Sequence, residues 1–305
     1  MQTLTVDKEG IATAHERIAP YVRRTPTITL DGITAKLELF QHAGSFKTRG
    51  AFANMLMRDV PPAGVVAATG GNHGASVAFA ARTTGQRAKI FAPRYASPAK
   101  LHRIRDYGAD LVLSDGLPEA FEAAETWAAE SGAILVHSFD MVETMLGAGT
   151  VGLELEEQAP DLDTILVPVG GGGLISGLGA WYDGSVRVIG VEPENSPTLF
   201  NAFVAGRPVD TQSGVGIAAD AMSPKRVGEL VYPIARRWAE RVVLVTDDAI
   251  RQAQEHLWSH ARVVAEPAGA ASLAAILSLV YTPAPHERVG IVISGGNTVA
   301  VDFTR

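Results

Sequence analysis

Short apolar, β-branched runs alternate with helical stretches along most of this chain, and that alternation restricts it to a small set of folds. Gly64 to Ala68, Arg87 to Ala92, Asp110 to Leu113 and Ala133 to Val136 read as strands, separated by helices over Ala75 to Arg82, Pro98 to Tyr107 and Pro118 to Glu130. The pattern recurs on a larger scale beyond a helix at Val142 to Glu157. There the strands are Thr164 to Val169, Val186 to Val191, Arg241 to Val245 and Arg288 to Ile293, with helices at Leu174 to Trp181, Asp247 to His260 and Pro267 to Val280. Continuous apolar strands between helices predict parallel sheets covered on both faces, an α/β fold. Pro61-Pro62 coincides with a shift in composition and marks a crossing between two units. The expected division is a large domain of residues 1–55 and 137–305 with a small domain, 56–136, inserted into it. Upstream, Ile11, Ala14, Ile18 and Val22 recur at helical spacing and Thr34 to Phe40 alternates as a strand. Asn201 to Asp220, rich in small and polar residues, is the least defined stretch.

Composition narrows the function. A chain of 305 residues, 47% apolar and 19% charged, can bury a large core. Its net charge of −7, with no run of lysine or arginine, gives no footprint for nucleic acid or anionic lipid. The absence of cysteine excludes disulfides, thiolate metal sites and a cysteine nucleophile, and suits a reducing compartment. Met1 to Gly10 is polar and is not read as a signal peptide, and no apolar run approaches the ~20 residues that span a bilayer. The expectation is a soluble cytoplasmic protein.

Chemistry is concentrated in four short segments. Gly44-Ser45-Phe46-Lys47-Thr48-Arg49-Gly50-Ala51 places a lysine between a strand and a helix. At a helix N-terminus, with partial desolvation, an amine is pushed toward its neutral, nucleophilic form. Three strands end in glycine-rich loops: Thr69-Gly70-Gly71-Asn72-His73-Gly74, Gly170-Gly171-Gly172-Gly173 and Ser294-Gly295-Gly296-Asn297. In open parallel sheets ligands gather at such strand ends. Four consecutive glycines carry an entropic cost of roughly 0.5–1 kcal/mol each against alanine, and what they offer is backbone N–H groups to an anion. The loop lacks both the G-x-G-x-x-G pattern and a following Lys-Ser or Lys-Thr, so a small phosphorylated cofactor fits better than a nucleotide. An activated lysine and a phosphate cradle together point to pyridoxal 5′-phosphate. Asn72 can then meet a ring hydroxyl, and Ser294 can meet the ring nitrogen as a neutral partner, which weakens the ring as an electron sink and favours elimination.

These segments resemble the fold-type II pyridoxal-phosphate enzymes, in particular the threonine/serine dehydratase and serine racemase group, from about Arg24 to Asn297. The resemblance implies a tryptophan synthase β-like fold with the cofactor in a cleft between two open parallel-sheet domains. It implies Lys47 as Schiff-base residue and general base, with Phe46 packed beside the cofactor. It also implies Asn72 at the 3′-hydroxyl, Gly170, Gly171, Gly172, Gly173 and Leu174 at the phosphate, Ser294 at the ring nitrogen and Glu266 near the ring. The loop of Thr69, Gly70, Gly71, Asn72 and His73 is implied to receive the substrate carboxylate, and a homodimer is implied as the assembly. The expected reaction is α,β-elimination from L-threonine, L-serine or a related β-hydroxy amino acid, releasing a 2-oxo acid and ammonia. The alternatives are an amino-acid racemase and a dehydratase of a 3-hydroxyaspartate or a hydroxyectoine-pathway intermediate.

Departures from the family pattern carry information of their own. In serine racemases a serine two residues before the loop asparagine is the second acid/base, whereas this chain has Gly70. Ala75 stands where many relatives have glutamine. The family's divalent-cation site, for Mg or Mn, resembles Glu192-Pro193 followed by Ser196, but Thr198 occupies its aspartate position, which leaves cation binding open. The chain ends at Arg305 soon after the last motif, so the C-terminal regulatory domain of allosteric threonine dehydratases is not expected. His73 is either a carboxylate-orienting residue or a loop histidine satisfying backbone groups, and His137 is read as structural. Glu154, Glu156 and Glu157 are expected on a solvated helix face, and Trp127, Trp181, Trp238 and Trp258 in cores or an interface.

Overall fold

The computed structural model describes residues 4–212, 214–222 and 224–298. In chain order the elements begin with α1 (Lys8–Ile18), β1 (Thr27–Leu30), β2 (Ile33–Lys36), α2 (Lys47–Leu56), β3 (Val65–Ala68), α3 (Asn72–Thr84), β4 (Ala88–Pro93), α4 (Pro98–Asp106), β5 (Asp110–Ser114), α5 (Leu117–Ser131) and β6 (Ile134–Leu135). They continue with α6 (Val142–Gln158), β7 (Thr164–Pro168), α7 (Gly173–Tyr182), β8 (Arg187–Pro193), α8 (Thr198–Ala205), α9 (Ala219–Met222), α10 (Val231–Trp238), β9 (Ala239–Val245), α11 (Asp247–His256), α12 (Pro267–Leu277) and β10 (Val289–Val292). Two sheets result, in the orders β1-β2-β10-β7-β8-β9 and β5-β4-β3-β6.

Among the described residues, every pairing between these strands is parallel except β1 with β2. That edge hairpin was not anticipated, although its signal is present. Asp31 and Gly32 both have positive φ, 49° and 81°, the backbone of a two-residue turn whose twist suits an antiparallel pair. The strand expected to run to Phe40 stops at Lys36, and Glu38–Phe40 forms a short 3-10 turn because the Glu38 side chain is drawn inward to Arg49. Asn201 to Asp220, left undefined from sequence, contains the second half of α8 and the start of α9; α10 was also missed. Helix α11 runs into a wider π turn at Leu257–Ala261.

Both faces of each sheet are covered, as continuous apolar strands require. On the six-stranded sheet, Leu166, Ile189 and Ile291 pack with Ile250, Leu273 and Ala274 on one side, and Val167, Val188 and Val292 pack with Met145, Leu178 and Val231 on the other. On the four-stranded sheet, Val65, Ala67 and Ile90 pack with Phe52, Ala53, Val77 and Ala81, and Val66 and Phe91 with Ala120 and Ala124. Helix α2 therefore lends its apolar face to the smaller sheet. Its other face is pressed on α6: a Cβ at Gly147 would lie 2.5 Å from the carbonyl oxygen of Arg49. One expectation needs correction, and Trp258 lies outside the core. Glu154 is 1% exposed and bonded to Arg49 and Lys36, whereas Glu157 faces solvent. Trp258 is 52% exposed, lying under the Arg262 guanidinium.

Candidate active site

The carboxyl ends of β3, β7 and β10 deliver the three glycine loops to one place, and Lys47 joins them there. The segment before Lys47 runs alongside the end of β10: Ser45 pairs with Gly295, Phe46 N–H donates to Ser294 O at 3.1 Å, and Gly296 N–H donates to Gly44 O at 3.0 Å. Gly44, with φ of 76°, has no space for a side chain, since a Cβ would lie 2.3 Å from Asn297 Oδ1. Lys47 is the first residue of α2, and its Nζ donates to Ser138 O at 2.6 Å and lies 5.0 Å from the Phe46 ring centroid. Burial lowers its pKa from 10.5 to about 8.

The loop after β3 enters α3 earlier than its sequence suggested, so Asn72 and His73 form the first helical turn. Thr69 Oγ1 accepts the Gly71 N–H at 3.2 Å. Asn72 spans the gap between the sheets: its amide donates to Glu266 Oε1, and its Oδ1 accepts from Asn297 Nδ2 at 2.9 Å. The His73 ring points inward, with Nε2–H donating to Val136 O at 2.9 Å. Burial, with Lys47 nearby, drops its pKa to about 3, so the ring is neutral. Of the two readings weighed for His73, its side chain follows the second, satisfying a backbone carbonyl. Gly70 is hemmed in: a Cβ there would lie 2.3 Å from Ala96 Cβ.

Glu266, buried beside Gly295, donates its backbone N–H to Gly295 O at 3.1 Å. Its pKa rises to about 7 because burial outweighs the attraction of Lys100, with Asp220 adding repulsion. Lys100 bonds Asp220 and lies 3.5 Å from Glu266 Oε2. Neither Lys100 nor Asp220 was singled out from sequence, since each stands alone in an unremarked stretch. Ser294, 5% exposed, makes only a long bond, 3.4 Å, to Ala268 O, which leaves its hydroxyl available to another partner.

The four-glycine loop turns from β7 into α7 through Gly172, whose φ of 93° favours glycine. Side chains are excluded here: a Cβ on Gly171 would fall 2.1 Å from the Phe139 ring and one on Gly172 2.5 Å from Val231 Cγ1. The first intrahelical bond is Ser176 N–H to Gly172 O, so the amides of Gly173, Leu174 and Ile175 have no partner within the helix. A helix start presenting backbone N–H groups free of side chains fits a phosphate. With Lys47 and the loosely bonded Ser294 converging on the same space, the residues fit pyridoxal phosphate.

The residues at the family's cation position, left open above, do not fit a divalent cation. The two oxygens of buried Glu192 accept the N–H groups of Leu199 and Phe200, at 2.8 and 2.9 Å, so the carboxylate caps α8. Thr198 brings a hydroxyl instead of a second carboxylate, and among the described residues no group of three His, Cys, Asp or Glu could hold a metal ion. Among these residues, too, no helix is long and apolar enough to cross a membrane.

Comparison with known proteins agrees with this geometry. The family model described as pyridoxal-phosphate dependent enzyme matches residues 18–295, and the chain belongs to that family. It is 36% identical to phenylserine dehydratase of Ralstonia pickettii over 99% of this chain and 97% of the relative. It is 38% identical to L-threonine ammonia-lyase of Thermotoga maritima over 93% of this chain and 71% of the relative. The structure of maize serine racemase superposes with a TM-score of 0.91 at 36% identity, covering 97% of this chain and 94% of that one. The fold is that of the fold-type II pyridoxal-phosphate enzymes.

Proposed function

We propose that this chain is an ammonia-lyase that eliminates water from a small β-hydroxy amino acid, with L-threonine and L-serine as the leading substrates, and releases a 2-oxo acid and ammonia. The cleft lies between a large domain, 1–55 and 137–305, and a small one, 56–136. Pyridoxal phosphate, when bound, supplies an aldehyde that captures amines and a ring that draws electrons from the Cα–H bond. Lys47 would hold that aldehyde covalently, and its Nζ is the base that would take the α-proton of the substrate, a task suited to an amine held near pKa 8. Gly170, Gly171, Gly172, Gly173 and Leu174 hold the phosphate. Asn72 orients the ring oxygen, Ser294 meets the ring nitrogen without a charge, and Phe46 and Glu266 line the ring. The loop from Thr69 to His73 receives the substrate carboxylate at the start of α3. The reading extends to a cytoplasmic homodimer, supported by the family resemblance and a chain without cysteine.

One observation carries elimination over racemisation: Gly70 stands where the racemase pattern places a second acid/base, and Ala96 fills the space a side chain would need. The test is release of 2-oxo acid from L-threonine, L-serine and 3-hydroxyaspartate. Cofactor-loaded enzyme that yields none would overturn the reading. The likeness to maize serine racemase keeps racemisation as the second reading, and the packing around Gly70 gives it a specific test. Gly70→Ser alone should leave the ratio of D-serine to pyruvate formed from L-serine unchanged, because its Cβ meets Ala96. Gly70→Ser with Ala96→Gly opens that space and should raise the ratio. A wild-type enzyme already forming mostly D-serine would favour the racemase.

A further inference from the structure

One tripeptide, Ser138-Phe139-Asp140, ties the lysine to the glycine loop, and its last residue has no part in the chemistry above. Ser138 O accepts from Lys47 Nζ, the Phe139 ring packs over Gly171, and the Phe139 backbone and Cβ lie against Gly173. The turn is set by His137, whose Nδ1 accepts the N–H groups of Phe139 and Asp140 at 3.4 and 2.9 Å. The Asp140 carboxylate then accepts three backbone N–H groups in succession: Glu229 at 3.0 Å, Leu230 at 2.9 Å and Val231 at 3.2 Å. Those are the amides of the two residues that lead into α10 and of its first residue.

The segment held this way forms the back wall of the glycine loop. Gly228 N–H donates to Gly171 O at 3.3 Å, Val231 packs where a side chain on Gly172 would stand, and Val231 O accepts from Ser176 Oγ at 3.3 Å. Gly228 leaves room for the carboxylate, since a Cβ there would lie 2.2 Å from Asp140 Oδ1. Asp140 thus occupies the amides leading into α10 as an internal anion and leaves those of α7 to an external one.

We infer that Asp140 is a positioning residue for phosphate recognition, fixing the 228–231 wall against the glycine loop so that the α7 amides converge on the phosphate of the cofactor. The inference rests on the proposed reading of that loop as a phosphate cradle. It predicts a specific loss: binding of the phosphate and not of the pyridoxal ring.

The experiment titrates cofactor-stripped enzyme with pyridoxal 5′-phosphate and, separately, with pyridoxal, following the visible absorbance of the lysine-bound ligand. Wild type, Asp140→Ala and Gly228→Ala are compared, the last displacing the carboxylate while keeping it present. Both variants should lose affinity for pyridoxal 5′-phosphate by about tenfold or more, the scale of one charge-assisted hydrogen bond, with affinity for pyridoxal little changed. Thermal unfolding of each variant shows that it is folded; if Asp140→Ala is not, Gly228→Ala decides. A preserved preference for the phosphorylated ligand, or parallel losses for both ligands, would overturn the inference. Wild type that binds pyridoxal as tightly as pyridoxal 5′-phosphate would instead overturn the cradle itself.

Discussion

Replacing Lys47 with methionine or alanine is expected to abolish turnover and the visible band of bound cofactor, and the methionine exchange should also make the cofactor-free protein more stable at pH 7. The first effect follows from the two tasks of one amine. Losing a positioned acid/base group alone costs roughly 10²–10⁴ in rate, and losing the covalent anchor adds to it. The second follows from burial. Lowering the Lys47 pKa from 10.5 to about 8 means that the folded state pays on the order of 3 kcal/mol to keep the ammonium. Between pH 8 and 10.5 the unfolded chain binds more protons at this site than the folded one, so stability rises with pH across that window. The penalty is fully present below pH 8 and gone above 10.5. Lys47→Met, which keeps the stem, should therefore melt higher than cofactor-free wild type at pH 7, and the gap should close on going to pH 10. Calorimetry of the two cofactor-free proteins checks this. A methionine variant that melts lower at pH 7 would show that the ammonium is better solvated than its setting implies, and would weaken the case for Lys47 as a base.

What could be read from the sequence was what is local. Strand-then-glycine loops announce themselves because the turn from a strand into a helix uses adjacent residues, and so Asn72, the Gly170 to Gly173 run and Ser294, like the lysine turn at Lys47, stand out as candidates in the sequence alone. Their structural surroundings were not legible. Ser138 meets Lys47 across 91 residues of sequence, and Asp140 meets Leu230 across 90. His137, which the sequence marks as structural rather than catalytic, is so: its Nδ1 accepts two backbone N–H groups and sets that turn just past β6. Glu154 was misread for a related reason. In sequence it stands with Glu156 and Glu157, but Glu156 points away from the buried face and Glu157, nearly one turn on, reaches Arg24 at the surface, so only Glu154 turns toward α2. The misplaced strand end at Lys36 shares that cause, since Lys36 and Glu38 point into the same buried cluster. Charges that satisfy one another inside a protein have no signature in composition.

Arg49→Met is expected to cost stability more than any other single exchange outside the cofactor site. The guanidinium makes four bonds to two buried carboxylates: Nε and Nη2 to Glu38, both at 2.8 Å, and Nη1 and Nη2 to Glu154, at 2.7 and 2.8 Å. Lys36 Nζ completes the group, bonding Glu154 Oε2 at 2.7 Å, Gln158 Oε1 at 2.8 Å and Thr25 O at 2.8 Å. Two cations face two anions, so the cluster is neutral, and removing Arg49 leaves one carboxylate in excess where water does not reach. Breaking such a buried pair typically costs about 3–5 kcal/mol, which in a chain of this size corresponds to a fall in melting temperature on the order of 10 °C. Burial alone would raise the Glu154 pKa, but the bonds and charge of Arg49, with those of Lys36, outweigh it and hold the group below 4.5. That share of the stability is present above pH 4.5 and lost as the pH falls below it, and Arg49→Met should blunt this acid sensitivity as well. Arg49→Lys, which keeps the charge but loses the planar fork, should fall between the two. Because Arg49 lies on the first turn of α2, two residues beyond Lys47, the same substitution loosens the helix that carries the amine. Melting curves at pH 7 and pH 4 for the three proteins test the account. A methionine variant that melts within about 2 °C of wild type at pH 7 would mean that the cluster is no better than a packed apolar core, and that the apolar contacts of α2 are what hold Lys47 in place.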